Sequence, residues 1–167
     1  GTAEGGRFAY SDRQAEILET MKAEARKRGL WNFWLTDSDE GFGLSTVEYA
    51  YIAEELGWVH MASEAMNCSA PDTGNMEVLE RVGTEAQKEK WLKPLARGEK
   101  IGAFLLSEPG AGSDATSQQT MAIDKGDHYI INGVKNWITS ANSASTYIVI
   151  AQTHKEKGHK GINAILV

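Results

Sequence analysis

The stretch Ile101-Gly-Ala-Phe-Leu-Leu-Ser107, followed directly by Glu108-Pro-Gly-Ala-Gly-Ser-Asp114, contains the transition that decides the fold. Its first part is a short apolar run typical of a β-strand, and its second part is rich in turn residues. Gly110 and Gly112 let the backbone approach a bulky ligand closely, and the surrounding hydroxyls and amides offer hydrogen-bond donors. The pattern indicates a cofactor-binding loop at the end of a strand. A surface turn without function is the alternative.

The same loop satisfies a relaxed dinucleotide-binding pattern, Gly110-x-Gly112-x-x-Ala115. That fold requires a helix directly after the glycines. Residues 116–123 are instead polar and rich in Thr and Gln, without a helical apolar stripe. A P-loop is excluded because no Gly-Lys-Ser/Thr follows. We therefore favour a cofactor loop of another fold.

Before this loop, three segments have the start and stop signals of a helix. Each begins with a hydroxyl residue followed three positions later by Gln or Glu, and each ends at a glycine. They are Ser11-x-x-Gln14 to Gly29, Ser45-x-x-Glu48 to Gly57, and Thr84-x-x-Gln87 to Gly98. Pro94 lies inside the third pattern and predicts a break near Lys93, because proline removes a backbone donor and clashes with the preceding turn. A shorter helix is expected over residues 75–81.

After Gly98 the pattern changes to short β-type runs, which predicts a domain boundary near Glu99. Strands are expected at residues 101–107, 129–131, 134–139, 146–153 and 162–167. Asn132-Gly133 predicts a tight type I′ hairpin between the second and third of these. Because side chains alternate across a strand, Trp137 and Thr139 would then share one face and could meet one flat ligand.

The composition excludes several classes of protein. With 167 residues and 41% hydrophobic content, the chain is long enough for one well-cored domain or two small units. A net charge of −6, with acids and bases interspersed, provides no basic stripe for nucleic acid. No apolar run approaches the roughly 18 residues of a membrane span, and residues 1–10 lack the apolar core of a signal peptide. The single cysteine, Cys68, is expected to be buried and inert in a reducing compartment.

No metal site is predicted. The four histidines show no ligand spacing, and the acidic loop of Asp37, Asp39 and Glu40 is not followed by a twelve-residue calcium frame. A solvated surface is the interpretation we favour for both features.

Two blocks of the sequence resemble the acyl-CoA dehydrogenases. The first is Gly102-Ala-Phe-Leu-Leu-Ser-Glu-Pro-Gly-Ala-Gly-Ser-Asp114, and the second, at the expected separation, is Tyr129-Ile-Ile-Asn-Gly-Val-Lys-Asn-Trp-Ile-Thr139. The resemblance implies an α+β fold in which an N-terminal α-helical domain, residues 1–98, is followed by an incomplete antiparallel β-barrel-like domain, residues 99–167. It implies FAD as the cofactor of the second domain.

By that resemblance, nine residues would contact FAD: Phe104, Leu105, Leu106, Ser107, Gly112, Ser113, Trp137, Ile138 and Thr139. The Leu106 backbone and the Ser107 hydroxyl would meet the pyrimidine edge of the flavin. Ser113 would lie near the pyrophosphate and would also contact the substrate. Trp137 would cover the ring, with Thr139 hydrogen-bonded near N5. Ser107 stands where many members carry Thr, and Glu108 is expected to be a structural loop residue.

The helical half also resembles the family. Gly29-Leu-Trp-Asn-Phe-Trp-Leu35 and residues 67–79 are similar to a branch associated with longer or 4-hydroxylated acyl chains, whereas Lys160-Gly-Ile-Asn-Ala-Ile-Leu-Val167 is closer to the short-chain branch. The acyl chain length is therefore left open.

The resemblance implies an enzyme that oxidises an acyl-CoA thioester to a trans-2-enoyl-CoA. A carboxylate removes the α-proton and the β-hydride passes to FAD, but that base belongs to a C-terminal region. The chain also stops inside an apolar strand, where natural domains rarely end. We therefore expect an interior piece that holds no catalytic residue and is inactive alone.

The family also implies partners and a compartment. These are an acyl-CoA substrate, electron-transfer flavoprotein as electron acceptor, and a homodimer or homotetramer in the bacterial cytoplasm or mitochondrial matrix. Two alternatives stay open. One is an acyl-CoA oxidase or a nitroalkane-oxidising relative, and the other is a non-catalytic remnant that acts as an interaction module.

Overall fold

The computed structural model describes residues 10–35, 38 and 40–167. Asp37 and Asp39 of the acidic loop, and the opening segment 1–9, lie outside the described residues. The chain divides into two compact units, residues 1–81 and 82–167. The first is helical and the second is built around a sheet, so the predicted α+β class is confirmed.

The described part of the first unit contains four helices, and the first two begin where the capping signals predict. They are α1 Asp12–Lys27, α2 Thr46–Leu56, α3 Ala62–Ala65 and α4 Asp72–Val82. At α1 the Gln14 amide donates to Ser11 Oγ over 3.4 Å, and the Ser11 amide donates to Gln14 Oε1 over 2.9 Å. Ser45 and Glu48 form the same box at α2. The helix expected over residues 75–81 is present and begins earlier, at Asp72.

The core of the first unit brings Cys68 together with Phe33 and Leu56, and Tyr49 and Met66 pack against this group. The predicted burial of Cys68 is confirmed. Burial raises the pKa of its thiol, which keeps the group protonated and unreactive.

The second unit opens with α5 Glu85–Gln87, a π-helical turn Lys88–Leu92, and α6 Lys93–Ala96. The capping box of Thr84 and Gln87 is present, but the predicted break near Lys93 was wrong. Lys93 has φ −60° and ψ −43°, so the helical path continues through it. The wider π turn leaves room for the Pro94 ring, which lies in the first turn of α6 where its missing N–H costs little.

Five strands form one mixed sheet that is not closed. They are β1 Gly102–Leu105, β2 Met121–Asp124, β3 Tyr129–Asn132, β4 Thr146–Gln152 and β5 Ile162–Leu166. The expected antiparallel pairing holds for β2 with β3 and for β4 with β5. β1 pairs with β4 in parallel, from Gly102 opposite Thr146 to Leu105 opposite Val149. β2 meets β4 in parallel at Met121 and Gln152.

The hairpin at Asn132-Gly133 was predicted wrongly. β3 instead pairs with β2 across a turn in which the Lys125 amide donates to the His128 carbonyl, and Gly126 has the positive φ, 95°. β2 was not predicted. Gly133 has no positive φ, and a Cβ built on it would lie 2.2 Å from Thr120 Oγ1. The glycine is needed for close approach to Thr120 rather than for a type I′ turn, and residues 134–139 are not a strand.

Candidate functional site

The loop after β1 turns back on itself within four residues. The Glu108 amide donates to the Ala111 carbonyl over 3.0 Å, and the Ala111 amide donates to the Glu108 carbonyl over 3.1 Å. This places Pro109 and Gly110 at an exposed tip, and the chain then continues into exposed Gly112. The loop is a short, doubly bonded turn at the carboxyl end of a strand, as the sequence predicts.

Neither the backbone conformation nor a contact within the chain requires glycine at the two glycine positions of the loop. Gly110 and Gly112 have no positive φ, and a Cβ built on either would meet nothing within 4 Å. Their backbone therefore faces open space. Both positions leave room for a group that approaches from outside the chain.

The predicted residues before the turn occupy consecutive positions at its entrance. Phe104 and Leu105 are the last two residues of β1, and Leu106 and Ser107 follow; all four are half-buried. Ser113, beyond the turn, is exposed.

The side chain of Asp114 stabilises the exit from the loop. It accepts from the Thr116 amide over 3.2 Å, from the Thr116 hydroxyl over 2.6 Å, and from the Ser117 hydroxyl. These hydrogen bonds, that of Ser117 most of all, hold the pKa of Asp114 below its usual value. A single 3₁₀ turn, Ala115–Ser117, follows the glycines instead of the α-helix that a dinucleotide-binding fold requires.

A buried ion pair lies beneath the loop. Lys135 Nζ is 2.8 Å from Glu108 Oε1, and both side chains are almost wholly buried. Burial on its own raises the pKa of Glu108, but hydrogen bonds from Lys135 and from the Gln119 and Thr120 amides outweigh it and lower the value to about 2. Glu108 is therefore ionised at neutral pH, and its contacts are those of a structural residue, the role expected from the sequence.

Sequence reasoning missed Lys135. Its ammonium also donates to the Leu106 carbonyl and to Gln118 Oε1, each over 2.9 Å. The side chain thus binds the loop entrance and the segment before β2 at once. The only signal available was a lysine between Val134 and Asn136 in a segment expected to be a strand, which does not distinguish a buried ammonium from a solvated one.

The side chain of Trp137 is exposed to solvent rather than packed in the core. Its φ is 58°, a left-handed conformation unusual for a bulky residue, and it is 91% exposed. The predicted strand face shared by Trp137 and Thr139 was wrong, because this backbone turns at Trp137 and residues 139 and 140 form a turn. Thr139 is exposed and Ile138, between the two, is half-buried.

One backbone hydrogen bond connects the two predicted blocks. The Asn136 amide donates to the Ser107 carbonyl over 3.0 Å, which sets the segment bearing Trp137 beside the loop entrance. Within the described residues, Asn136 Oδ1 is buried and has no hydrogen-bond partner. A buried acceptor without a donor, next to a loop with open backbone, suits a ligand that supplies an N–H group.

Two cavities of the described chain lie elsewhere. One of about 330 Å³ is lined by α1 residues, and one of about 460 Å³ is lined by α5, the π turn, β3, β5 and the segment between β4 and β5. Neither of these two cavities includes a predicted site residue. None of the described helices is long and apolar enough to cross a membrane.

Comparisons with known protein families and proteins match nearly the whole chain. Residues 6–99 match the model of the acyl-CoA dehydrogenase N-terminal domain, and residues 103–167 match that of the middle domain. FadE2 of Mycobacterium tuberculosis, an acyl-CoA dehydrogenase by name, is 45% identical over 136 residues, which are 80% of this chain and 33% of that protein. The chain thus spans about a third of this relative's length.

Solved structures agree with the fold. A protein from Mycobacterium abscessus, also an acyl-CoA dehydrogenase by name, superposes with a TM-score of 0.83 at 40% identity, over 95% of this chain and 41% of that chain. A glutaryl-CoA dehydrogenase from Mycobacterium smegmatis, solved in complex with FADH2, superposes with a TM-score of 0.69 at 28% identity, over 95% and 46% of the two chains.

Proposed function

Because this chain belongs to the acyl-CoA dehydrogenase family, we propose that the protein containing it is an FAD-dependent dehydrogenase of acyl-CoA thioesters that forms trans-2-enoyl-CoA. The observation that carries the proposal is the hydrogen bond from the Asn136 amide to the Ser107 carbonyl, which joins the glycine loop to the segment of the exposed indole. In this proposal residues 1–98 form the helical domain and residues 99–167 the flavin-binding domain.

The chain's own residues fit FAD. We assign nine of them to the cofactor: Phe104, Leu105, Leu106, Ser107, Gly112, Ser113, Trp137, Ile138 and Thr139. Trp137 offers a free aromatic face for a flat ring, and the orphaned Asn136 oxygen offers an acceptor to a ring N–H. The open backbone at Gly112 and the exposed Ser113 suit phosphate oxygens, for which amide and hydroxyl donors are appropriate. When bound, FAD supplies the acceptor for a hydride.

The base is not assigned to Glu108, the one carboxylate buried in the loop. A general base works best with a pKa near the operating pH and within reach of the proton that it removes. Glu108 has a pKa of about 2 and both of its oxygens are occupied by Lys135 and backbone amides. We propose that the catalytic carboxylate comes from a part of the protein outside these 167 residues, and that Ser113 contacts the acyl-CoA.

The remaining features follow from the family. We propose electron-transfer flavoprotein as the electron acceptor, a homodimer or homotetramer as the assembly, and the bacterial cytoplasm or mitochondrial matrix as the compartment. An oxidase or nitroalkane-oxidising relative would share the same loop. Reoxidation of reduced flavin by oxygen within seconds, rather than only by electron-transfer flavoprotein, would favour that alternative.

The proposal is tested by adding FAD to the chain and measuring flavin absorbance and tryptophan fluorescence. We expect saturable binding with quenching of the indole emission, and Trp137→Phe is expected to abolish most of that quenching. Trp58→Phe is the matched control, because Trp58 is also exposed, at 82%, but lies in the first unit. Absence of any FAD-induced change, or equal loss of quenching in both variants, would contradict the site.

The assignment of the base has its own test. The chain alone, loaded with FAD, is expected to show no turnover of butyryl-CoA, octanoyl-CoA or a longer acyl-CoA with an artificial electron acceptor. Turnover would show that a carboxylate within these 167 residues serves as the base.

A second candidate, a non-catalytic interaction module, is favoured by an apolar stripe on α2. Val47 and Tyr51, four residues apart on the helix, are exposed, and Trp58 beyond its end is exposed as well. Self-association that persists in Trp137→Phe and disappears in Tyr51→Ser would support this candidate.

A further inference from the structure

The buried ammonium of Lys135 has a complete set of partners. It donates to the Leu106 carbonyl over 2.9 Å, to Glu108 Oε1 over 2.8 Å and to Gln118 Oε1 over 2.9 Å. An ammonium has three donors, and here all three are used. Such geometry leaves Lys135 little freedom, so each group that it contacts is held in one position.

Glu108 extends this arrangement to the next segment. Its Oε2 accepts from the Gln119 amide over 2.6 Å, and its Oε1 accepts from the Thr120 amide over 3.0 Å. Glu108 and Lys135 therefore connect the loop entrance, the residues before β2 and the residues after β3. Two of these segments belong to the two blocks assigned to the cofactor, which are also joined by the hydrogen bond from the Asn136 amide to the Ser107 carbonyl.

The contact with the Leu106 carbonyl determines where the next amide points. The Leu106–Ser107 peptide is trans, since the one cis bond in the described residues is Ala70–Pro71. In a trans peptide the C=O and N–H groups point in opposite directions. Lys135 holds the Leu106 C=O towards the buried ion pair, so the N–H of Ser107 points to the opposite side. The Ser107 carbonyl is held in turn by the Asn136 amide.

A carbonyl that accepts from an ammonium also becomes more polarised. In a dry environment this polarisation extends through the peptide and makes its N–H a stronger donor. A stronger donor matters most for a ligand atom that gains negative charge, as the polar edge of a flavin ring does on reduction.

We propose that Lys135 is a positioning residue for the flavin, which sets the direction and the donor strength of the Ser107 N–H towards the polar edge of the ring. The inference rests on the proposed FAD site but assigns a role to a side chain that touches no ligand. It goes beyond that proposal because it predicts that the reduced cofactor depends on Lys135 more than the oxidised cofactor does.

The test compares Lys135→Met, Lys135→Arg and the control Lys157→Met in the full chain; Lys157 is an exposed lysine of the same unit. Without FAD, the Ser107 amide proton is expected to shift upfield in Lys135→Met and to stay unchanged in Lys157→Met, measured by ¹⁵N–¹H spectra. With FAD, Lys135→Met is expected to bind about tenfold more weakly, the factor typical of one hydrogen bond to a charged group. Lys135→Arg is expected to recover part of the affinity.

The reduction potential separates positioning from general structural support. If Lys135→Met weakens the binding of reduced flavin tenfold more than that of oxidised flavin, the reduction potential of the bound flavin becomes about 30 mV more negative. This is the value for a two-electron couple. Unchanged potential and unchanged Ser107 shift in folded Lys135→Met would overturn the inference. Should Lys135→Met fail to fold, Lys135→Gln, which keeps an N–H donor but removes the charge, takes its place, and wild-type values for both quantities in folded Lys135→Gln would equally overturn the inference.

Failure of the underlying proposal has a different result. Wild-type chain that binds no FAD refutes the flavin site itself, whereas wild-type binding with unaltered affinity and potential in the Lys135 variants refutes the role of Lys135 alone.

Discussion

Glu108→Gln removes the carboxylate of the buried ion pair while keeping the size of the side chain. The pKa of Glu108 is lowered from 4.5 to about 2 in the folded chain, because hydrogen bonds from Lys135 and from the amides of Gln119 and Thr120 outweigh the effect of burial. A carboxylate with a lowered folded pKa stabilises the fold at pH values above its unfolded pKa. That stabilisation, about 3 kcal/mol from the two pKa values, is lost as the pH falls from 4.5 to 2.

We therefore expect Glu108→Gln to be about 3 kcal/mol less stable than the wild type at pH 6, and the difference to close near pH 2. The cost at pH 6 also reflects the ammonium of Lys135, which is left buried without its counter-charge. Urea unfolding at several pH values, followed through the NMR signals of β4 amides, measures the stability of the second unit. The wild-type curve is expected to fall by up to about 1.4 kcal/mol per pH unit more steeply than that of the variant.

Glu89→Gln is the matched control, because Glu89 forms an exposed ion pair with Lys93 in the same unit. Surface pairs contribute little, so its effect is expected to stay under about 0.5 kcal/mol at pH 6. A Glu108→Gln variant whose deficit is equal at pH 6 and pH 2 would refute the electrostatic explanation. The deficit would then come from packing or from lost hydrogen bonds that do not titrate.

Three further predictions concern single positions. Gly133→Ala is expected to lower the melting temperature by an amount equivalent to about 1–3 kcal/mol, because its Cβ would lie 2.2 Å from Thr120 Oγ1. Gly110→Ala is the control and should melt like the wild type, because its Cβ would lie in open space; equal melting temperatures of the two variants would contradict the prediction. Ser45→Ala removes a capping box and is expected to cost about 1 kcal/mol in urea unfolding; no loss would mean that α2 begins independently of the cap. Burial and the raised pKa of Cys68 predict slow reaction with a thiol reagent at pH 7.5 that accelerates in urea; fast reaction of the folded chain would disprove its burial.

The starts of three helices were predictable because their signals are local. A capping box joins residues three positions apart, so the pattern at Ser11, Ser45 and Thr84 already contains the interacting partners. The fold class and the position of the loop after β1 followed from the same kind of information. The detailed pairing did not, since the parallel contact of β1 with β4 joins segments about forty residues apart.

The wrong prediction of a hairpin at Asn132-Gly133 is a case in which tertiary packing overrides a local sequence pattern. Asn132-Gly133 has the composition of a type I′ turn, but β3 gains more by pairing with β2 over four residues. The glycine instead permits the close approach to Thr120, a constraint that the neighbouring residues in the sequence do not indicate. Residues 134–139 then leave the sheet, and Trp137 within them has a positive φ.

The amino-acid sequence alone determined the starts of the three capped helices, the α+β class and the position of the glycine loop, because each depends on neighbouring residues or on a recognisable block. Only the tertiary structure decided that Lys135 is buried and that its partners are Leu106, Glu108 and Gln118. Those contacts span 17 to 29 positions of the chain. Whether a lysine is solvated or buried depends on which distant segments fold over it, and that is a property of the packed chain rather than of its neighbours in sequence.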